Sequence, residues 1–197
     1  MNEMKIQLRW NLPVWFIGFF TSFLPDNRYS IKIRGTLMRP FIKRCGKNFQ
    51  LGGGVTLLNT YNLEIGDNVY IARGTWINSM GGLRIEDEVV IAPYVIISTM
   101  QHQFKNYSVR FAPSIKGEVL IGKGSWIAGH ASIKCGVKVG QGNLIAANSF
   151  VASDTDDNYI YGGVPAKKIK KLENMEDDSE SFYSRSEILK MKNSKKV

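Results

Sequence analysis

The sequence predicts an all-β chain wound as a three-sided parallel β-helix, with a short helical segment before it and a projecting loop within it. Three observations lead there: an aliphatic residue every sixth position, small or acidic residues just after it, and a grouping of these steps into threes. The series runs Cys45, Leu51, Leu57; Ile65, Ile71, Ile77; Ile85, Ile91, Ile97; Ile121, Ile127, Ile133; and Val139, Ile145, Val151. An amphipathic helix would place apolar residues three and four apart, so a step of six does not fit it. It suits a short strand plus a corner, with the aliphatic side chain pointing inward. Ile65-Gly66-Asp67-Asn68, Ile71-Ala72, Ile121-Gly122 and Ile145-Ala146 supply residues that help a chain turn. Three sides close a coil, and successive coils stack at strand spacing, about 4.8 Å. Coils begin at 45, 65, 85, 121 and 139, so a plain coil takes 18 residues and two take 20.

Three regions follow from this arithmetic: an apolar, aromatic cap over 1–41, the β-helix over 42–155 with a loop at 98–120, and an extension over 156–197. A solenoid has exposed coil edges that need covering, and the two flanking regions can cap them. The extension turns acidic and then lysine-rich after residue 172, which suits a loosely held helical tail or a disordered one.

Composition narrows the chemistry. At 44% hydrophobic and 22% charged residues, the 197-residue chain can bury a core. Two cysteines make neither a disulfide scaffold nor a four-thiolate zinc site, and two histidines exclude a three-imidazole metal site. The net charge of +9 points to an anionic partner, although the lysine-rich end inflates it.

The segment from Trp10 to Pro25 is apolar and aromatic, but it is shorter than the roughly 20 residues a spanning helix needs. No small-residue cleavage site follows it, so it does not read as a secretory leader. Two readings stand: a short helix packed on the main body, or an interfacial segment with Lys5, Arg9, Arg28, Lys32 and Arg34 near lipid headgroups. The expectation is a cytoplasmic protein, with peripheral contact to the inner face of the membrane through residues 10–25 under the second reading.

The gap between Ile97 and Ile121 exceeds one side plus a corner, so Ser98 to Leu120 includes a loop projecting from a regular scaffold. Such loops often carry function. His102 stands where strand gives way to loop, and an imidazole there can accept a proton from a hydroxyl under acylation. Spacing alone equally allows a surface histidine.

Three stretches carry a family resemblance. Ile85-Glu-Asp-Glu-Val-Val-Ile-Ala-Pro-Tyr-Val-Ile-Ile-Ser-Thr-Met-Gln-His102 resembles the coil that leads to the catalytic histidine of maltose and galactoside O-acetyltransferases. Ile121-Gly-Lys-Gly-Ser-Trp-Ile-Ala-Gly-His-Ala-Ser-Ile133 resembles the coil after the loop, and Gly162-Gly-Val-Pro-Ala-Lys-Lys-Ile-Lys-Lys171 the closing signature. Together the resemblance covers residues 42–171, and it is to the hexapeptide-repeat acetyltransferases. It implies a left-handed prism, acetyl-coenzyme A as cosubstrate without a metal, a homotrimer with sites between prisms, and no nucleic-acid partner. It makes His102 the general base.

By the same resemblance, Gly129, Ala147, Ala152 and Ser153 line a narrow groove for the pantetheine arm. Trp126 is either a wall of that groove or a subunit contact. Lys167 and Lys170 would meet the nucleotide phosphates, where the family carries arginine at two positions; a solvated basic tail is the plain alternative. His130 reads as a neighbour of the groove rather than a base, and Cys45 as a core residue. Asn78, Ser79 and Met80 would lie on the acceptor side. The family often has a carboxylate there, so maltose or galactoside is a poor expectation for the acceptor. The aromatic N-terminus resembles instead the branch that acetylates capsular, exopolysaccharide or lipopolysaccharide sugars. The expected activity is O-acetylation of a sugar hydroxyl; an N-acetyltransferase of an amino sugar nucleotide, or a serine-type small-molecule acyltransferase, is the alternative.

Overall fold

The computed structural model describes residues 2–172, so the helical tail expected beyond them lies outside the described residues. The six-residue series forms the solenoid's interior. Its first face stacks β1 (Arg44–Cys45), β4 (Leu63–Ile65), β7 (Leu83–Ile85), β12 (Val119–Ile121) and β15 (Lys138–Val139) in that order. The second stacks β2 (Gln50–Leu51), β5 (Tyr70–Ile71), β8 (Val90–Ile91), β13 (Trp126–Ile127) and β16 (Leu144–Ile145). It continues into β18 (Tyr159–Gly163) and β19 (Ala166–Lys171). The third stacks β3 (Thr56–Leu58), β6 (Trp76–Asn78), β9 (Ile96–Ser98), β14 (Ser132–Ile133) and β17 (Phe150–Val151).

All pairings between coils are parallel, and the aliphatic positions pair with their equivalents: Leu51 with Ile71, Ile71 with Ile91, Ile91 with Ile127, Ile127 with Ile145. A second inward position two residues before each aliphatic completes the core, with Phe49, Val69, Val89, Val95, Ala131 and Val137 all buried. This is the left-handed β-helix architecture, five coils and the start of a sixth.

The corners hold because residues there adopt left-handed backbone. At the second corner, between the second and third faces, Gly54, Gly74, Tyr94, His130 and Asn148 succeed one another, all with φ between 57° and 68°. At the first corner, Asp67 accepts from the Lys47 N–H (2.6 Å) and Asp87 from the Asp67 N–H (2.7 Å), so each carboxylate ties its coil to the one before. Buried Asn143 closes the last coil: it donates to Thr155 and to the Asp156 carbonyl and accepts from the Tyr159 N–H, each at 2.8 Å.

The N-terminal region is more helical than its sequence shows. A nearly continuous helix runs through α1 (Glu3–Ile6), a π-turn (Gln7–Asn11) and α2 (Leu12–Thr21), and then α3 (Arg28–Met38) crosses the first coil. The π-turn precedes Pro13, where the ladder must lose one donor. Asn27 caps α3 by accepting from the N–H groups of Tyr29 and Ser30. Gly35 lies so close to the Phe49 carbonyl that a Cβ would collide with it. Met38 and Ile42 bury into the open end of the core.

Arg34, grouped with exposed cations on sequence grounds, is instead 3% exposed. Its guanidinium bonds Asp26 at 2.6 Å and donates to the Thr21 and Leu24 carbonyls. Asp26 also accepts from the Gly53 N–H (2.9 Å) and from Arg73 (2.7 Å), so one carboxylate joins both N-terminal helices to coils one and two. No described helix is long and apolar enough to cross a membrane.

Candidate functional site at the hairpin root and the coil corners

After β9 the chain leaves the prism at the third corner, between the third face and the next coil's first. Thr99 pins the departure point: its hydroxyl donates to the Asn78 carbonyl (2.9 Å) and accepts from the Gly81 N–H (2.7 Å). Its carbonyl takes the N–H of Gly117, where the chain returns (3.0 Å). Between these points β10 (Met100–His102) and β11 (Ser114–Lys116) form an antiparallel hairpin with His102 opposite Ser114 and Met100 opposite Lys116. Cross-strand partners in an antiparallel pair share a face, and residues two apart on a strand do too. His102, Ser114, Met100 and Lys116 therefore share one face of the hairpin, and His102 is solvent-exposed. The tip beyond it holds out Phe104, Tyr107 and Phe111, each more than three-quarters exposed.

The residues expected on the acceptor side separate. Asn78 is committed to structure: its side-chain oxygen accepts from Asn59 (2.8 Å) and from the Met80 N–H (3.1 Å). Ser79 is fully buried, and its hydroxyl has no partner among the described residues. Met80 does face open space. With Gly81, Gly82, Lys116, Glu118, Lys43 and Glu64 it lines a polar cleft of about 230 Å³ at the foot of the hairpin. Glu64 and Glu118 bring carboxylates to a place where positions 79 and 80 offer none, a convergence of distant segments that spacing along the chain cannot reveal. Lys43, which bonds Glu64 at 3.0 Å, and the charges of Arg44 and Arg84 hold that carboxyl below the usual glutamate range.

The residues expected around the cofactor lie on other edges. Gly129 and Ala147 follow one another along the second corner, joined through the Asn148 N–H to the Gly129 carbonyl (3.0 Å). Trp126 stands about half exposed on the adjoining second face, between Val90 and Leu144. His130 takes the left-handed corner position and stacks on Tyr94, the corner residue one coil earlier, at 5.2 Å between ring centroids. Ala152 and Ser153 instead turn the third corner, two coils beyond the hairpin root. One chain thus presents His102 on its third corner and the Trp126–Gly129–Ala147 strip along its second, with the third face between them.

Gly163 and Ala166 close the tight turn joining β18 to β19. The closing signature, Gly162 to Lys171, folds back with Tyr159–Tyr161 as an antiparallel hairpin on the second face, rather than running on as the solvated tail that was the alternative. Lys167 and Lys170 are exposed on β19. Lys168 is engaged: it bonds Asp156 and sits 4.3 Å over the Tyr159 ring. The two cysteines offer no nucleophile. Burial pushes the Cys45 thiol up to about 11, and the Cys135 thiol points at the Gly117 carbonyl, 3.7 Å away.

A wider cavity, about 840 Å³, lies elsewhere, between α2 and the first coil. None of the residues expected to act on substrate or cofactor lines it.

No family model matches the chain. Among curated proteins it is 31% identical over 139 residues to the putative acetyltransferase YJL218W of Saccharomyces cerevisiae, covering 71% of each chain. It is 30% identical over 143 residues to the putative lipopolysaccharide biosynthesis O-acetyl transferase WbbJ of Escherichia coli K12, covering 64% of this chain and 70% of that one. Among solved structures, a galactoside acetyltransferase in complex with coenzyme A superposes with a TM-score of 0.75 at 25% identity, over 88% of this chain and 84% of that one. With the fold, the register of its repeats and these relatives together, the chain belongs to the hexapeptide-repeat acetyltransferase family.

Proposed function

We propose that this enzyme transfers an acetyl group from acetyl-coenzyme A to a sugar hydroxyl in the biosynthesis of a surface polysaccharide, with His102 as general base. The observation that carries this reading is the likeness, over 88% of the chain, to a galactoside acetyltransferase holding coenzyme A. The similarity to a lipopolysaccharide O-acetyl transferase supports the glycan acceptor.

In the reaction, the acceptor oxygen attacks the thioester carbonyl while His102 takes its proton, and a backbone N–H of a neighbouring coil steadies the oxyanion. Collapse breaks the C–S bond, and the proton passes to the leaving thiolate. Acetyl ester and free coenzyme A result, with no acyl-enzyme.

The site forms between protomers of a homotrimer. Two features support this. The proposed base and the Trp126–Gly129–Ala147 strip occupy different corners of one prism, so a neighbour must bring them together. The outer sides of the faces also differ. The first carries Arg44, Glu64 and Arg84, whereas the second and third expose Val90, Trp126, Trp76, Ile96 and Phe150. Apolar faces with no cover in one chain suit burial against another copy. Pantetheine runs along Gly129 and Ala147, with Ala152 and Ser153 at its far wall, and Lys167 and Lys170 meet the phosphates. On the acceptor side, the cleft containing Met80 and Glu118 receives the sugar beside His102. Asn78 holds the hairpin root through Thr99, and Ser79 is buried in its coil.

A thiol-release assay against sugars, sugar nucleotides and lipid-linked oligosaccharides tests the activity; hydrolysis alone, with no acceptor raising the rate, would contradict it. In that assay, Lys167→Ala/Lys170→Ala is expected to raise the KM for acetyl-coenzyme A by about fivefold to tenfold with kcat little changed, because two exposed phosphate contacts are removed. The difference from wild type should shrink in high salt.

A further inference from the structure

Exposed helical residues are ordinarily polar, and here they are not, although Leu12, Trp15 and Phe19 also border the cavity between α2 and the first coil. Along the helix from Glu3 to Thr21, Met4, Leu8, Leu12, Trp15 and Phe19 follow one another at spacings of three and four, and all are exposed. Phe16, Phe20 and Phe23 lie beside this row. Trp15 stacks on Phe19 at 5.6 Å, Phe16 on Phe20 at 6.3 Å, and edge contacts at 5.4 Å and 6.2 Å link Phe19 to Phe20 and Phe23. On α3, whose other face covers the first coil, the outward stripe is again apolar: Tyr29, Ile33 and Leu37. The N-terminal end of the solenoid thus presents apolar side chains from two helices.

Charge selects the occupant. Exposed Lys5, Arg9, Arg28, Lys32 and Arg39 surround these stripes. The only carboxylates in residues 2–42 are Glu3 and Asp26, and Asp26 is already bound by Arg34 and Arg73. A second copy docking end to end would set these cations against their own kind. An anionic headgroup layer would neutralise them while the aromatic side chains entered the acyl boundary, to a depth of about 5–10 Å for a helix lying in the plane.

We propose that this end of the prism is a peripheral membrane-docking surface: Trp15, Phe16, Phe19, Phe20 and Phe23 insert, and Arg28 and Lys32 contact anionic headgroups. The site corners then stand along the prism at heights above the bilayer set by their coils.

Flotation of the full chain with vesicles tests the proposal, using phosphatidylcholine alone and an equal mixture of phosphatidylcholine with phosphatidylglycerol. The wild type is expected to bind the mixed vesicles about tenfold or more tightly than the neutral ones. Phe19→Ser/Phe20→Ser should weaken mixed-vesicle binding by about tenfold or more. Arg28→Glu/Lys32→Glu should abolish the preference for the anionic lipid. All these side chains are exposed, so both variants should keep the wild-type thermal midpoint. Binding that survives both double variants unchanged would overturn the proposal, since another part of the chain would then be responsible. So would an absence of vesicle binding together with a fall in assembly mass in Phe19→Ser/Phe20→Ser, which would make the face a contact between copies.

Discussion

Replacing His102 with alanine is expected to lower acetyl transfer by roughly a hundredfold or more while the protein stays folded and its mass in solution is unchanged. The size follows from the role proposed for it: without a base the acceptor hydroxyl must attack while still carrying its proton. The fold should be indifferent, because His102 is exposed on the hairpin and the structural bonds at its root belong to Thr99 and Gly117. Steady-state kinetics beside sedimentation equilibrium separates the two effects. Since the base would act on the acceptor, the loss should fall on kcat, with the KM for acetyl-coenzyme A nearly unmoved. Wild-type turnover in an intact His102→Ala assembly would end the assignment of the base without touching the family membership.

The largest expected loss of stability lies at Asp26. Asp26→Ala would strip the partner from an almost fully buried guanidinium and orphan the Gly53 N–H and Arg73 in one step. Removing one member of a buried pair costs about 3–5 kcal/mol, and the partial exposure of Asp26 brings the expectation down to about 2–3 kcal/mol. Urea denaturation measures it, and a loss below about half a kcal/mol would mean that solvent already screens the pair. The pH dependence has a definite sign. Burial raises the Asp26 pKa, but the Gly53 N–H, Arg34 and Arg73 outweigh it, leaving the carboxyl below its ordinary value. A depressed folded-state value stabilises the fold above the unfolded pKa, near 4, and that contribution disappears as pH falls through the folded value. Glu64, lowered by Lys43, Arg44 and Arg84, acts in the same direction. Cap and first face should therefore loosen together in acid, and Asp26→Ala should flatten part of that slope.

Much of the solenoid was legible because its rule is local. Cys45, Leu51 and Leu57 announce their spacing, and coils two to five repeat it, so the register of fifteen positions is readable from the sequence. The parts that were harder depend on distant partners. Arg34 looks like any surface cation until Asp26 and the Thr21 and Leu24 carbonyls fold around it. The second hairpin, Tyr159–Lys171, hid behind a run of lysines that resembles a tail; its one local signal is the Gly162-Gly-Val-Pro turn. At the site, His102 stood out by its place at the edge of the long gap, whereas Glu64 and Glu118 gave no sign because their meeting with Met80 exists only across coils. The N-terminal helix was masked by Pro13, which usually marks a helix's start and here follows a π-turn inside one.

Stacked coils have no inherent stopping point, since each one ends in a row of backbone donors and acceptors awaiting the next. By laying Gly35 against the Phe49 carbonyl and sinking Met38 into the open shaft, with Ile42 following it, α3 covers the second-face edge of the first rung. Without that helix the edge of β2 would stand open to pairing with another strand, which the helix prevents.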